Sequence, residues 1–225
     1  RCAFCSERTE GRRHVAWRPG PMAAALRGLV AQHQPAMIHL LENALSPAAL
    51  HALIADPPGA PWYGFARFTP ELTAPEFCRD LKRAGCRMLQ LGLESGDPNV
   101  LERMNKGIDL AVAGETFRRL RASGIGTYVY LLFGTPWEAE AGARRTLEYV
   151  VAHAEAIDFL NLSIFNLPRH CDEAAGLATR PFSVADLSLY EDFTHPLGWD
   201  RLAVRRFLDR EFNRHPAIEI GRAHV

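Results

Sequence analysis

The sequence predicts an α/β chain whose strands form part of a (β/α)6 barrel. Three observations carry that expectation. Five short apolar runs recur along the chain with helix-length segments between them, the alternation that gives βαβ crossovers and a parallel sheet. One unit repeats: residues 77–85 followed by 88–96 resemble 117–124 followed by 128–134, each a basic helix, a closing Gly, a strand and a Gly-bearing turn. The strands also sort their side chains onto two unlike faces. A doubly wound open sheet is the alternative architecture.

The expected strands are residues 37–41, 63–68, 88–93, 128–133 and 159–165, and the expected helices 74–84, 110–122, 139–154 and 200–214. Gly85 and Gly124 suit the left-handed cap that ends a helix just before a strand. Pro57-Pro58-Gly59-Ala60-Pro61 reads as a stiff loop, and no low-complexity tract divides the chain. Strand side chains alternate between faces. Gln90, Gly92 and Glu94 therefore oppose Leu89, Leu91 and Leu93; Tyr128, Tyr130, Leu132 and Gly134 oppose Val129, Leu131 and Phe133; Asn161, Ser163 and Phe165 oppose Leu160, Leu162 and Ile164. One face is aliphatic, suited to outer helices. The other is polar, aromatic or small, unlike the branched aliphatics that fill an ordinary barrel.

With 225 residues, 48% of them hydrophobic, the chain can bury a sizeable core. Lys and Arg number 26, as do Asp and Glu, so net charge points to no nucleic-acid partner. No apolar run reaches membrane-span length, so no membrane association is expected. Five irregularly spaced cysteines argue against a disulfide framework and for a reducing cytoplasm. The chain opens on Arg1 rather than Met, and the last seven residues, Glu219 to Val225, read as a translated sequencing adapter. The expected organisation is a barrel over 1–180, a helical extension over 181–218 and a non-native tail over 219–225, with Trp199 and Phe207 packing under the barrel or across its mouth.

Barrel enzymes place chemistry at the carboxyl ends of their strands. Those ends read Leu41-Glu42-Asn43, Ala66-Arg67-Phe68, Leu93-Glu94-Ser95-Gly96, Phe133-Gly134-Thr135-Pro136 and Phe165-Asn166-Leu167-Pro168, each with a polar side chain or a turn that bares backbone groups. Arg1-Cys2-Ala3-Phe4-Cys5 adds two cysteines that can ligate one metal centre. On the pair alone, a zinc or redox site with His14 nearby is the ordinary reading. Cys78 and Cys86 read as core residues. The basic runs of residues 82–83, 118–121 and 205–206 read as solvated helix faces.

Arg1-Cys2-Ala3-Phe4-Cys5, Leu91-Gly92-Leu93-Glu94-Ser95-Gly96, Met104-Asn105-Lys106-Gly107 and Gly124-Ile125-Gly126 leading to Leu132-Phe133-Gly134-Thr135-Pro136 together resemble the radical S-adenosylmethionine (SAM) enzymes, in the group often fused to a cobalamin-binding domain. The resemblance covers about residues 1–170 and implies a radical SAM barrel cut before its first strand and first cluster cysteine. It implies that Cys2 and Cys5 are two of three thiolate ligands of a 4Fe-4S cluster, whose open iron takes the amino and carboxylate groups of SAM. Phe4 would pack near the adenine, Glu42 and Asn43 would stand near the methionine amino group although the usual Gly-Gly-Glu is absent, and Glu94 with Ser95 would bind the ribose or methionyl part. The backbone at Gly134 and Leu167 would border the adenine. Reductive cleavage would give a 5′-deoxyadenosyl radical that abstracts hydrogen from a small-molecule or peptide substrate, with flavodoxin or ferredoxin as electron donor and cobalamin held by an upstream domain. Arg67, Tyr130, His170 and Cys171 are the candidates for substrate contact or catalysis. Two alternatives remain at this point: a zinc-binding or redox α/β domain using Cys2 and Cys5, and a cluster-free βα-barrel lyase or hydrolase.

Overall fold

The computed structural model describes residues 17–169, 171, 174, 176–181 and 189–218. Cys2, Phe4, Cys5, His14, His170 and the 219–225 tail lie outside the described residues. The elements run α1 (Pro19–His33), β1 (Ile38–Leu45), α2 (Pro47–Ala55), β2 (Trp62–Ala66), α3 (Pro75–Arg83), β3 (Cys86–Glu94), α4 (Pro98–Arg103), α5 (Leu110–Ala122), β4 (Gly126–Phe133), α6 (Glu140–Ala152), β5 (Phe159–Ile164), β6 (Leu167–Pro168), β7 (Thr179–Pro181), β8 (Tyr190–Phe193) and α7 (Arg201–Arg210).

Strands β1 to β5 form one sheet in the order β1-β2-β3-β4-β5, every pair parallel. Each crossover therefore moves to the next strand in the same direction. That is the winding of a barrel arc, whereas a doubly wound sheet reverses its order at a switch point.

The alternation read from the sequence holds in the core strands. Leu89, Leu91, Leu93, Val129 and Phe133 are fully buried beneath the outer helices, and burying each such side chain is worth about 1.5–3 kcal/mol. The helices that cover them start where short polar side chains cap them. The carboxylate of Asp97 accepts from Asn99 N–H at the start of α4, that of Asp109 from Ala111 N–H at the start of α5, and that of Asp200 from Ala203 N–H at the start of α7. Gly85 (φ +97°) and Gly124 (φ +68°) occupy the left-handed positions expected after α3 and α5.

The 181–218 region is helical in α7, and three short strands that the sequence reading did not anticipate precede it, an antiparallel sheet ordered β6-β8-β7. Phe207 packs against the outer face of β4 at its carboxyl end, with Trp199 beside it. The Phe207 ring lies 6.1 Å from that of Phe133 and 5.7 Å from that of Trp199. Among the described residues no helix is long and apolar enough to cross a membrane.

Candidate functional site

The carboxyl ends of β1 to β5 enclose a cavity of about 420 Å³, within the range of small-molecule sites. Asn43, Arg67, Glu94, Lys106 and Tyr130 line it, with apolar wall supplied by Phe65 and Ile164. A second hollow, lined by Arg121 and Asp158, sits at the opposite end of the sheet, where β4 and β5 begin.

Glu94 is the centre of the cavity's charge. It ends β3 in the left-handed region at φ +66°, a conformation costing a non-Gly residue roughly 1–2 kcal/mol. Its Oε1 accepts from Lys106 Nζ at 2.7 Å, with only 12% of the Glu94 and 14% of the Lys106 side chain exposed. No hydrogen bond among the described residues engages Oε2. Gly92 makes room for the pair: a Cβ there would stand 2.7 Å from Glu94 Oε1 and 3.0 Å from Lys106 Nζ. The pair thus lies flat against the strand, and only hydrogen fits beneath it. Arg67 follows β2 and donates from a terminal guanidinium nitrogen to the Lys106 carbonyl at 3.2 Å, tying the end of β2 to the loop that carries the lysine.

The next three residues turn the other way. Ser95 is fully buried, its hydroxyl 3.1 Å from that of Thr146 on α6. Gly96 donates N–H to the same Thr146 hydroxyl at 2.9 Å, and a Cβ at Gly96 would meet Tyr149 Cβ at 2.7 Å. Asp97 receives Arg145 of α6 at 3.0 Å. Glu94 therefore faces the cavity while Ser95, Gly96 and Asp97 dock α6. This is a correction to the placement of Ser95 at the cofactor side: its hydroxyl is spent on packing.

Nearer the amino ends of the strands, the exposed ring of His39 stacks on Tyr63 at 4.2 Å, and its Nε2 lies 3.1 Å from Gln90 Oε1. Gln90 in turn donates from Nε2 to the Tyr130 hydroxyl at 2.8 Å. Burial raises the pKa of Tyr130, with neighbouring Tyr128 adding to the shift. Both ends of the Gln90 amide are satisfied, so this wall is pre-ordered.

The turn after β4 hangs on a buried acid. Glu138, with no exposed surface, accepts from Gly134 N–H and from Trp199 Nε1 at 3.1 Å, both through Oε2. Its Oε1 has no partner among the described residues. Burial raises its pKa to about 7. His195 braces the same turn. Its Nδ1 accepts from Leu197 and Trp199 N–H, each at 3.2 Å, so the proton sits on Nε2 and is donated to the Thr135 carbonyl at 2.8 Å. Burial lowers the His195 pKa, which favours this neutral form.

Among the predicted site residues, the structure brings together Asn43, Arg67, Glu94 and Tyr130. Glu42 is exposed on an irregular stretch of β1 and does not line the cavity, because the pairing with β2 slips between Leu40 and Leu45. Gly134 (φ +78°) lies against Val204 of α7 in a separate small hollow, Leu167 is buried in β6, and Cys171 is half-buried outside the cavity. Cys78 and Cys86 are buried core residues. Burial pushes both thiols up, Cys78 to about 11, so neither is a ready thiolate. No cluster of metal-ligating side chains occurs among the described residues.

Lys106 stands within a sequence motif that assigns it no role, and the sequence pattern does not single out Glu138, Gln90 or His39 as site residues. The signal for Gln90 and His39 was a polar side chain at a lumen position of a strand.

The family model of the Radical SAM superfamily matches residues 1–150. No curated protein matches the sequence. The fold is similar to the solved structure of the radical SAM methyltransferase TsrM from Kitasatospora setae with cobalamin and a [4Fe-4S] cluster bound, at 21% identity and TM-score 0.66 over 83% of this chain and 40% of that one. It is similar to the coproporphyrinogen III oxidase HemN from Escherichia coli, at 18% identity and TM-score 0.57 over 93% of this chain and 49% of that one. It is also similar to the cobalamin-dependent SAM radical enzyme OxsB with aqua-cobalamin bound, at 14% identity and TM-score 0.57 over all of this chain and 31% of that one. The chain thus spans less than half the length of each.

Proposed function

The chain belongs to the radical SAM superfamily, as an enzyme of that class, and from that premise we propose that it binds SAM in the strand-end cavity beside a 4Fe-4S cluster held in part by Cys2 and Cys5. The observation that supports this reading most is the Glu94 carboxylate at the end of β3 on a cavity wall, one oxygen fixed by Lys106 and the other with no hydrogen bond among the described residues.

The residues present fit the cofactor. Its ribose hydroxyls are donors, and a carboxylate oxygen is the acceptor they need. Its adenine is flat and apolar-faced, and Ile164 offers apolar wall. Asn43, the polar side chain that β1 brings to the cavity, would bind the methionyl amino group. Phe4 is assigned to the adenine side from the motif. Held in part by Cys2 and Cys5, the cluster would supply the electron for reductive cleavage of SAM and so the radical chemistry that removes hydrogen from a substrate. The chain's own part is to bind, orient and exclude water. Lys106 and Gly92 hold Glu94 in place, the Gln90–Tyr130 wall closes the lumen, and the Glu138 clamp fixes the turn after β4.

The proposal extends to a small-molecule or peptide substrate, a flavodoxin or ferredoxin as electron donor, a cobalamin held by another domain and a cytoplasmic setting. Anaerobic reconstitution with iron and sulfide, followed by reduction in the presence of SAM, tests its core. The expected product is 5′-deoxyadenosine, lost in Cys2→Ala and in Cys5→Ala. Tightly held zinc in place of iron and sulfide, or 5′-deoxyadenosine formation that survives both substitutions, would overturn the reading.

A further inference from the structure

We infer that Arg67 is the receptor for a carboxylate of the substrate, so that the enzyme acts on an organic acid whose body lies against the aromatic wall of Phe65 and Tyr130. The inference rests on the functional reading above and deepens it by naming the substrate class.

Three observations carry it. Charged side chains lining the cavity among the described residues are Glu94, Lys106 and Arg67. Glu94 and Lys106 are matched to each other at 2.7 Å, which leaves Arg67 as the unmatched charge. Among the described residues no carboxylate forms an ion pair with it, although it shares the cavity with the Glu94–Lys106 pair. Arg67 is exposed at the edge of the cavity, and one guanidinium nitrogen donates to the Lys106 carbonyl at 3.2 Å, which tethers the head while leaving donors for a ligand. A planar, pre-oriented fork of this kind matches a carboxylate in two parallel hydrogen bonds. Beside it, the rings of Phe65 and Tyr130 lie 5.2 Å apart and both face the cavity, an apolar surface for the rest of the molecule.

SAM also carries a carboxylate, so the shared chemistry at Arg67 is a carboxylate and its source is a matter for experiment. The substrate is the better source. The family resemblance gives the cofactor's carboxylate to the open iron of the cluster, which would leave Arg67 to the substrate.

The test uses a matched pair of probes, 3-phenylpropionate and its uncharged amide, titrated calorimetrically into the full chain and into Arg67→Gln and Arg67→Lys. S-adenosylhomocysteine serves as the cofactor-side probe, and thermal melting checks folding. The expected result is that the carboxylate binds about tenfold or more tighter than the amide. Arg67→Gln should abolish that preference, Arg67→Lys should keep part of it, and S-adenosylhomocysteine should bind all three proteins alike. Equal binding of carboxylate and amide, or a preference that survives Arg67→Gln, overturns the inference. So does weaker S-adenosylhomocysteine binding in Arg67→Gln with the probe preference intact, which would give Arg67 to the cofactor. Failure of S-adenosylhomocysteine to bind the unmodified protein would instead remove the cofactor site on which the inference rests.

Discussion

Replacing Glu138 by Gln is expected to abolish a pH dependence of stability that the native protein carries. Glu138 is wholly buried, Oε2 is occupied by Gly134 N–H and Trp199 Nε1–H, and Oε1 is unpartnered among the described residues. Desolvation raises its pKa to about 7 from 4.5. Between those two values the folded state holds a proton that the unfolded state has released, so stability falls as pH rises. The favourable contribution is complete below about pH 4.5 and is lost progressively up to about pH 7. The gap of about 2.5 pKa units corresponds to about 3.4 kcal/mol in full. Roughly 2 kcal/mol of that falls between pH 5.5 and pH 8.5 by the linkage relation. Gln keeps an acceptor for the two N–H groups but does not titrate there. His195, whose pKa is lowered by burial, contributes a slope of opposite sign in both proteins and cancels in the comparison. Urea unfolding of native and Glu138→Gln protein at pH 5.5, 7.0 and 8.5 should therefore show the native protein losing about 2 kcal/mol relative to the variant. Parallel curves, with a constant difference across that range, would refute the assignment of a buried, proton-holding Glu138.

Lys106→Met keeps the length of the side chain but strips Glu94 of its partner at a site with only 12% of the carboxylate side chain exposed. It should cost about 2 kcal/mol in urea unfolding and weaken S-adenosylhomocysteine binding. Adding Glu94→Gln to Lys106→Met should recover part of the stability loss, a coupling that a double-mutant cycle measures directly. Glu94→Gly should be more stable than Glu94→Ala by about 1 kcal/mol, because φ +66° strains a side chain bearing Cβ and not glycine. A more stable Ala variant, the usual order in a strand, would show that the left-handed geometry is wrong.

The strand-and-helix order was legible because it depends on local pattern. The aliphatic faces of β3 and β4 and the span of α5 are properties of single segments, and burial confirms them. α1 went unread because its Ala- and Gly-rich sequence has little apolar stripe, and β6 to β8 because strands of two to four residues leave no periodicity to find. Placement at the site failed where strand register slipped or the backbone left the extended state. Alternation predicts a facing only while φ stays in the β region. The slip in β1 carried Glu42 away from the cavity, and the left-handed Glu94 turned Ser95 towards α6. Glu138 was invisible for another reason: its burial depends on Trp199, 61 residues further on.

The Leu93-Glu94-Ser95-Gly96-Asp97 segment shows why function and fold are hard to separate here. A turn that only had to leave the sheet and meet α6 would be better served by glycine at position 94, since Thr146, Tyr149 and Arg145 receive the three residues that follow. The chain instead holds a carboxylate there against a strain of about 1–2 kcal/mol. It also removes the side chain at Gly92 to admit the carboxylate, and it brings Lys106 back beyond α4 to fix one of its oxygens. None of these three choices strengthens the core. Strain of this kind persists where surrounding structure imposes it, and it gathers at binding sites. The cost is understandable if the Glu94 oxygen that no described residue engages has a ligand to meet. That is why the Gly and Ala variants at position 94 inform on function as well as on backbone: the substitution predicted to relieve the strain is also the one that deletes the acceptor.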